Sequence, residues 1–191
     1  MASVPVLPRP VVASLNDPTN GSIDVFASDN TDLVIDANGY FAAPGTGGLS
    51  LYGVTPCRIV DTRNSGGQIP GGTSRDFNIQ ASACGVPATA QAYVLGAMVY
   101  PAGPLGYLTL WPQGQTRPVV ATLNAIDGAY TSNMALVPTS NGWISAFASN
   151  TTDLSLDISG YFSAQTAPPP ITITTKEYLR LGGRTIAIEN H

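Results

Sequence analysis

The sequence predicts an all-β protein, an antiparallel two-sheet β-sandwich of jelly-roll or Greek-key type accompanied by an incomplete second β module. Three observations predict it. Apolar and polar residues alternate over short runs, as in Asp153-Leu-Ser-Leu-Asp-Ile158, where Leu154, Leu156 and Ile158 share one face and Ser155 and Asp157 the other. A period of two is that of a strand with one face buried and one wet. Clusters of turn formers separate the runs, among them Pro101-Ala-Gly-Pro104, Pro112-Gln-Gly-Gln-Thr-Arg-Pro118 and Thr139-Ser-Asn-Gly142. Finally, 20 Gly and 16 Pro stand beside 43% hydrophobic residues, a composition that supplies many tight turns and is too apolar for a disordered chain.

Taken in order, strands are expected at 51–60, 75–80, 91–100, 106–111, 119–124, 130–137, 143–149 and 153–162. Eight strands at hairpin-like spacing make two packed sheets. The runs Trp143-Ile-Ser-Ala-Phe-Ala and Gly106-Tyr-Leu-Thr-Leu-Trp111 alternate less cleanly. They are therefore expected either to be covered on both faces or to lie near a sheet edge.

Part of this module occurs twice. Pro10-Val-Val-Ala-Ser-Leu-Asn16 returns as Pro118-Val-Val-Ala-Thr-Leu-Asn124, and 20–43 returns as 141–164, with Thr31-Asp-Leu33 against Thr152-Asp-Leu154 and Gly39-Tyr-Phe41 against Gly160-Tyr-Phe162. The early copy lacks a counterpart of 126–138 and of everything in the module before Pro118. It is expected to form three strands, 11–16, 22–28 and 32–41, whose apolar face is uncovered. A three-stranded sheet in that condition is marginal in water. The chain thus divides into a truncated module (1–43), a linker (44–50), a complete module (51–164), a Pro-rich spacer (165–170) with Pro168-Pro-Pro170, and a tail (171–191). In the tail, alternating runs around Gly182-Gly183 predict a hairpin, which needs a sheet to join. Ile171, Ile173, Tyr178, Leu179, Leu181, Ile186 and Ile188 are its candidate assembly residues.

Only 10% of residues are charged, the net charge is -4, and Lys176 is the sole lysine. That excludes the basic footprint of a nucleic-acid binder and attraction to anionic membranes. No run approaches the ~20 apolar residues of a membrane span, and Met1-Ala-Ser-Val-Pro lacks the features of a signal peptide. Cys57 and Cys84, the two cysteines, flank a Gly-rich loop. Their even number in a lysine-poor β chain favours a structural disulfide over two buried thiols, and with it an oxidising compartment.

Several motifs, Val54-Thr-Pro-Cys57-Arg-Ile-Val-Asp-Thr-Arg63, Ala83-Cys-Gly-Val-Pro-Ala88, Gly106-Tyr-Leu-Thr-Leu-Trp-Pro112, Pro118-Val-Val-Ala-Thr-Leu-Asn124 and Asp157-Ile-Ser-Gly-Tyr-Phe162, occur in this order. Together they resemble a repeat module of large secreted bacterial surface proteins over 51–164, and the early copy resembles that module's end. The resemblance implies an extracellular location and β architecture, and no reaction. Lys176-Glu-Tyr-Leu-Arg-Leu-Gly-Gly-Arg-Thr-Ile-Ala-Ile-Glu-Asn190 is similar to one unit of the YD (Rhs-type) repeats of secreted bacterial shells.

For catalysis the chain offers little. Its single imidazole is His191, and its glutamates are Glu177 and Glu189 in the tail, which leaves no Ser-His-Asp arrangement and no metal site built on histidine. No cofactor is expected. An aspartate pair such as Asp61 with Asp157 is the remaining enzymatic option. Asp61 and Arg63 are read as a structural knot, Asp61 capping loop N–H groups and Arg63 pairing with a carboxylate, in preference to an anion or sugar site. Asp29-Asn-Thr-Asp32 and Asn150-Thr-Thr-Asp153 offer oxygens for calcium, but recurring where the chain turns they are read as Asx turns. The sequons at Asn20 and Asn150 suit a surface position. Tyr107, Trp111, Tyr130 and Trp143 form a candidate sugar platform, provided their rings are exposed together. The expected function is that of a non-enzymatic structural module of an extracellular bacterial surface assembly, self-associating with copies of itself by strand complementation and able to form a filament. The alternative is a carbohydrate-binding adhesion module.

Overall fold

The structure is a computed structural model, and it describes residues 47–164 throughout, the strand backbones at 177–181 and 184–188, and separate positions between 22 and 40. The complete module forms β1 (Leu49–Asp61), β2 (Thr73–Asn78), β3 (Ala90–Pro101), β4 (Leu105–Pro112), β5 (Leu123–Ala125), β6 (Thr131–Pro138), β7 (Trp143–Ala148) and β8 (Thr152–Ala164), and the tail adds β9 (Glu177–Leu181) and β10 (Arg184–Ile188). No helix among the described residues is long and apolar enough to cross a membrane.

Two antiparallel sheets of four strands, ordered β1-β8-β3-β6 and β2-β7-β4-β5, make the sandwich. This is the strand order of a jelly roll, the first half of the chain doubling back along the second so that β1 lies by β8, β2 by β7, β3 by β6 and β4 by β5. All six ladders, β1·β8, β3·β8, β3·β6, β2·β7, β4·β7 and β4·β5, join a strand of the front half (β1–β4) to one of the back half (β5–β8). Neither half contains a ladder of its own among the described strands.

Period-two patterning sets the core. Tyr93, Leu95, Ala97 and Val99 of β3 and Leu154, Leu156 and Ile158 of β8 point inward from the first sheet. From the second sheet they meet Phe77, Leu108, Leu110, Ile144, Ala146 and Ala148, and all belong to one buried cluster. The imperfect alternation of β4 and β7 has its explanation here. Both are central strands, and their outward faces are covered by the loop that follows β4, where the Arg117 guanidinium sits 3.6 Å over the Phe147 ring and the Trp111 Nε1–H donates to the Gln115 carbonyl at 3.0 Å.

The fifth strand differs most from expectation. The sequence puts it at 119–124, whereas β5 is the short Leu123–Ala125. Upstream of it, hydroxyls stand in for ladder bonds: Thr109 Oγ1 donates to the Val120 carbonyl at 2.6 Å, and Leu110 N–H donates to Thr122 Oγ1 at 2.9 Å. Pro118, lacking an N–H, also withholds a ladder donor from this stretch. At the turn into β7, Gly142 has φ +84°, and a Cβ there would lie 2.4 Å from the Gln80 side chain. Both conditions call for glycine.

The strands expected within the early copy fall largely outside the described residues. Of its described positions Ser22 forms a single-residue bridge, and Val25, Phe26, Ala27, Asp32, Leu33, Ile35 and Tyr40 are in no strand.

Candidate interaction surface

The disulfide expected from the cysteine count is present, Cys57 bonded to Cys84 with Cα atoms 5.7 Å apart. It ties the middle of β1 to the connection that follows β2. Just after Cys57 lies a charged cluster on the outward face of the first sheet. Arg58 and Asp157 face each other across β1 and β8. Arg58 donates to Asp157 through Nε and, at 3.1 Å, through Nη2, and its Nη1 reaches Asp61 Oδ2 at 2.9 Å. Arg63 grips the same Asp61 carboxylate from the other side, through Nε at 2.9 Å, Nη2 at 2.6 Å and its backbone N–H at 3.2 Å. Its guanidinium also lies 3.7 Å over the Tyr100 ring, whose hydroxyl meets Ser155 Oγ at 3.1 Å. Between them Thr62 donates to Asp153 Oδ1 at 2.8 Å and accepts the Leu154 N–H at 2.9 Å.

The Asp61 carboxyl is consequently held at about 2, first by the hydrogen bonds from Arg63 and against the desolvation that opposes them. The same contact raises Arg63. Two arginines and two aspartates alternate, so the cluster is neutral, and its forks are spent internally. Asp61 and Asp157 do come together on either side of Arg58, yet Asp61 has no proton to donate near neutrality. Ser155, read from the alternation as a wet position, is instead buried at 1% exposure beneath the Tyr100 hydroxyl, a contact between β3 and β8; the role of Arg58 depends on β1 lying beside β8, and no local pattern announces a pairing between strands so far apart in sequence.

The four candidate platform aromatics are divided between the two sheets. Tyr107 packs on Phe147 with centroids 5.6 Å apart, whereas Tyr130 meets Tyr100 edge-on at 5.1 Å over the other sheet. Trp111 is buried, and Tyr130 and Trp143 are exposed. Trp143 stands alongside a polar network in which Ser145 Oγ donates to Asp76 at 2.6 Å, Gln113 Nε2 donates to Asp76 at 3.4 Å and Asn141 Nδ2 donates to Gln113 at 2.6 Å. In the segment Asn150-Thr-Thr-Asp153 the Asn150 side chain accepts the Gly106 N–H, Thr151 accepts that of Gly71, and Asp153 accepts from Thr62 and Gln68. Its oxygens serve the loops. An open depression of about 580 Å³ lies at the end of the sandwich, lined by Ala88, Thr89, Ala90, Gln91, Thr139, Ser140, Ser163 and Ala164, none of which carries a charge.

Unsatisfied strand surface is the more telling feature. β1 is an edge strand that meets only β8 among the described strands. The Cys57–Cys84 bond fastens its middle to the connection after β2, and residues 49–53, with Leu49 and Leu51 exposed, form its open half. In the tail, β9 and β10 pair with each other, from Leu181 opposite Arg184 to Glu177 opposite Ile188, as a separate two-stranded sheet. Tyr178, Leu179, Leu181, Ile186 and Ile188 lie on these strands, while Ile171 and Ile173 fall outside the described residues. In the early copy, Val25, Phe26, Leu33 and Ile35 are 54%, 91%, 59% and 58% exposed, whereas their counterparts Ala146, Phe147, Leu154 and Leu156 are 0%, 8%, 0% and 0% exposed. No family model, curated protein or solved structure matches the chain.

Proposed function

We propose that this protein is a non-enzymatic structural module of an extracellular bacterial surface assembly, and that it associates with its own copies by adding strands to open sheet edges. One observation carries the reading: apolar positions that are core in the complete module are exposed in the early copy of the same sequence. Side chains of that size left in water each forgo on the order of 2 kcal/mol of burial, so association is favoured wherever a complementary sheet is offered. The tail hairpin and the open half of β1 supply a donor and an acceptor of main-chain hydrogen bonds, and Leu49 and Leu51 supply apolar contact. Head-to-tail addition of this kind builds a filament unless it closes into a ring. The Cys57–Cys84 bond supports an oxidising, extracellular setting. Deleting residues 171–191 is expected to abolish oligomers seen by light scattering and electron microscopy, and an unchanged assembly would refute tail donation.

A second reading has its own observation. Trp143, exposed beside the Asp76–Gln113–Asn141 network, offers one ring and several hydrogen-bonding groups to a sugar. A glycan array is the measurement that decides it: binding lost in Trp143→Ala supports adhesion, and an array without hits removes it.

A further inference from the structure

Two places in the complete module put a hydroxyl and a side-chain amide on the two oxygens of one carboxylate. At the first, Thr62 Oγ1 donates to Asp153 Oδ1 at 2.8 Å and Gln68 Nε2 donates to Oδ2 at 3.1 Å. Gln68 is exposed, and no donor among the described residues meets its carbonyl oxygen. At the second, on the outward face of the second sheet, Ser145 Oγ donates to Asp76 Oδ1 at 2.6 Å and Gln113 Nε2 donates to Oδ2 at 3.4 Å. Here the amide carbonyl is engaged as well, Asn141 Nδ2 donating to Gln113 Oε1 at 2.6 Å. The Asn141 side chain is itself held in place, its Oδ1 accepting the Trp143 N–H at 3.0 Å. Strand pairing produces this arrangement. Asp76, Ser145 and Trp111 stand in register across β2, β7 and β4, and the Gln113 N–H reaches the Trp143 carbonyl at 3.4 Å, just beyond the end of β4. Same-face residues two positions apart across a ladder are within reach of long side chains. To meet Asp76 on the far flank of β7, the Gln113 side chain crosses that strand at Ser145, which is 4% exposed.

We propose that Ser145 and Gln113 join in an intramolecular ester, which the module forms on itself with Asp76 as the base. Asp76 Oδ1 takes the Ser145 proton as Oγ attacks Cδ of Gln113. The negative charge gathering on Oε1 is received by the Asn141 Nδ2–H, which already points at that oxygen. The Cδ–Nε2 bond then breaks, the nitrogen takes the proton from Asp76, and ammonia leaves. One carbon–oxygen bond replaces one carbon–nitrogen bond and Asp76 returns to a carboxylate, so the step needs no oxidant and no co-reactant. Each chain reacts once, so the module remains non-enzymatic. The Thr62 trio lacks a donor for its amide oxygen and serves as the unreactive counterpart. The ester has a distinct structural consequence. All six ladders between β1–β4 and β5–β8 are noncovalent, and the Cys57–Cys84 bond lies within the first of these halves. The Gln113–Ser145 bond ties the halves covalently, from the chain just after β4 to β7. It is independent of how copies of the protein associate.

Mass spectrometry of the full chain, incubated folded at neutral pH and then reduced, tests the proposal. The mass is expected to fall about 17 Da below that of the sequence, the mass of the departing ammonia. Cleavage before aspartate is expected to give the peptides 76–126 and 127–152 joined to each other, and mild alkali to separate them with Gln113 converted to Glu. Ser145→Ala and Gln113→Glu are each expected to keep the full mass, the second preserving the size of the side chain should the first disturb the fold. Asn141→Ala is expected to slow the loss by about 100-fold or more, the scale of removing one oxyanion donor. Gln68→Ala is expected to leave the loss unchanged. An intact mass after prolonged incubation overturns the proposal, as does a loss that persists in Ser145→Ala. A loss confined to 127–152, as cyclisation of Asn141 onto Gly142 gives, overturns it too, and so does a loss abolished by Gln68→Ala.

Discussion

Asp61 shows how much a single side chain can organise. Its carboxylate accepts from Arg58 and Arg63 together, and its backbone carbonyl accepts the N–H groups of Asn64 and Ser65, so one residue ends β1 and starts the following loop. Because its folded pKa of about 2 lies below the ordinary value of 3.8, the charged form favours the folded state. That contribution is complete above about pH 4 and is lost as pH falls through the folded value. Acid titration of thermal stability is expected to show a fall over this window that Asp61→Asn lacks, the variant being less stable at neutral pH. A second residue gives the opposite lesson. Tyr93 is fully buried, and burial pushes its phenol above the ordinary range, with Thr139 and Gln80 nearby but not in hydrogen-bonding geometry. Its hydroxyl is the only buried side-chain polar atom without a partner among the described residues. Tyr93→Phe is therefore expected to be neutral or to stabilise by about 1 kcal/mol in urea denaturation, since it removes an uncompensated desolvation cost.

At the scale of elements, the strands were legible because alternation and turn chemistry are local properties. Seven of the eight expected strands overlap the observed ones closely, and Asp153-Leu-Ser-Leu-Asp-Ile158 places its apolar side chains inward as read. The expected fifth strand differs from β5 because Val119 and Val120 look like strand residues, while the path of 119–122 is fixed by threonine hydroxyls, Thr109 donating to the Val120 carbonyl and Thr122 accepting the Leu110 N–H. The β1–β8 pairing carries a bulge between Gly53 and Cys57, and Gly160 lies against it. A Cβ on Gly160 would stand 2.9 Å from the Tyr52 carbonyl oxygen. Gly160→Ala is expected to push the two strands apart and cost about 1–3 kcal/mol, as overpacking does, with loss of the Tyr52–Tyr161 stack visible in near-ultraviolet circular dichroism.

Across the complete module, the nested pairing of front and back halves makes every contact between sheet neighbours long-range in sequence, and the Cys57–Cys84 bond is the covalent tie within the front half. It closes a loop across a separation of 27 residues. Removing it with Cys84→Ser is expected to lower stability by about 3 kcal/mol, the entropy recovered by the unfolded chain, measurable as a drop in the denaturation midpoint. The candidate site was legible only in part. Cys57, Cys84, Asp61 and Arg63 were marked by type and spacing, but the platform of Tyr107, Trp111, Tyr130 and Trp143 depends on which sheet each strand joins, and the structure distributes these rings over both.

By itself the sequence determined what is local or repeated: strand positions, turns, one paired set of cysteines, and an early copy that duplicates the end of the complete module. The tertiary structure alone decided that β1 lies beside β8, that Arg58 bridges two aspartates, and that each half of the module is the other's only source of ladder partners. The physical reason is that alternation tells a strand which face to bury but is silent about its neighbour; strand order is set by closing long loops around a shared core, and nothing in a short window of residues encodes that closure.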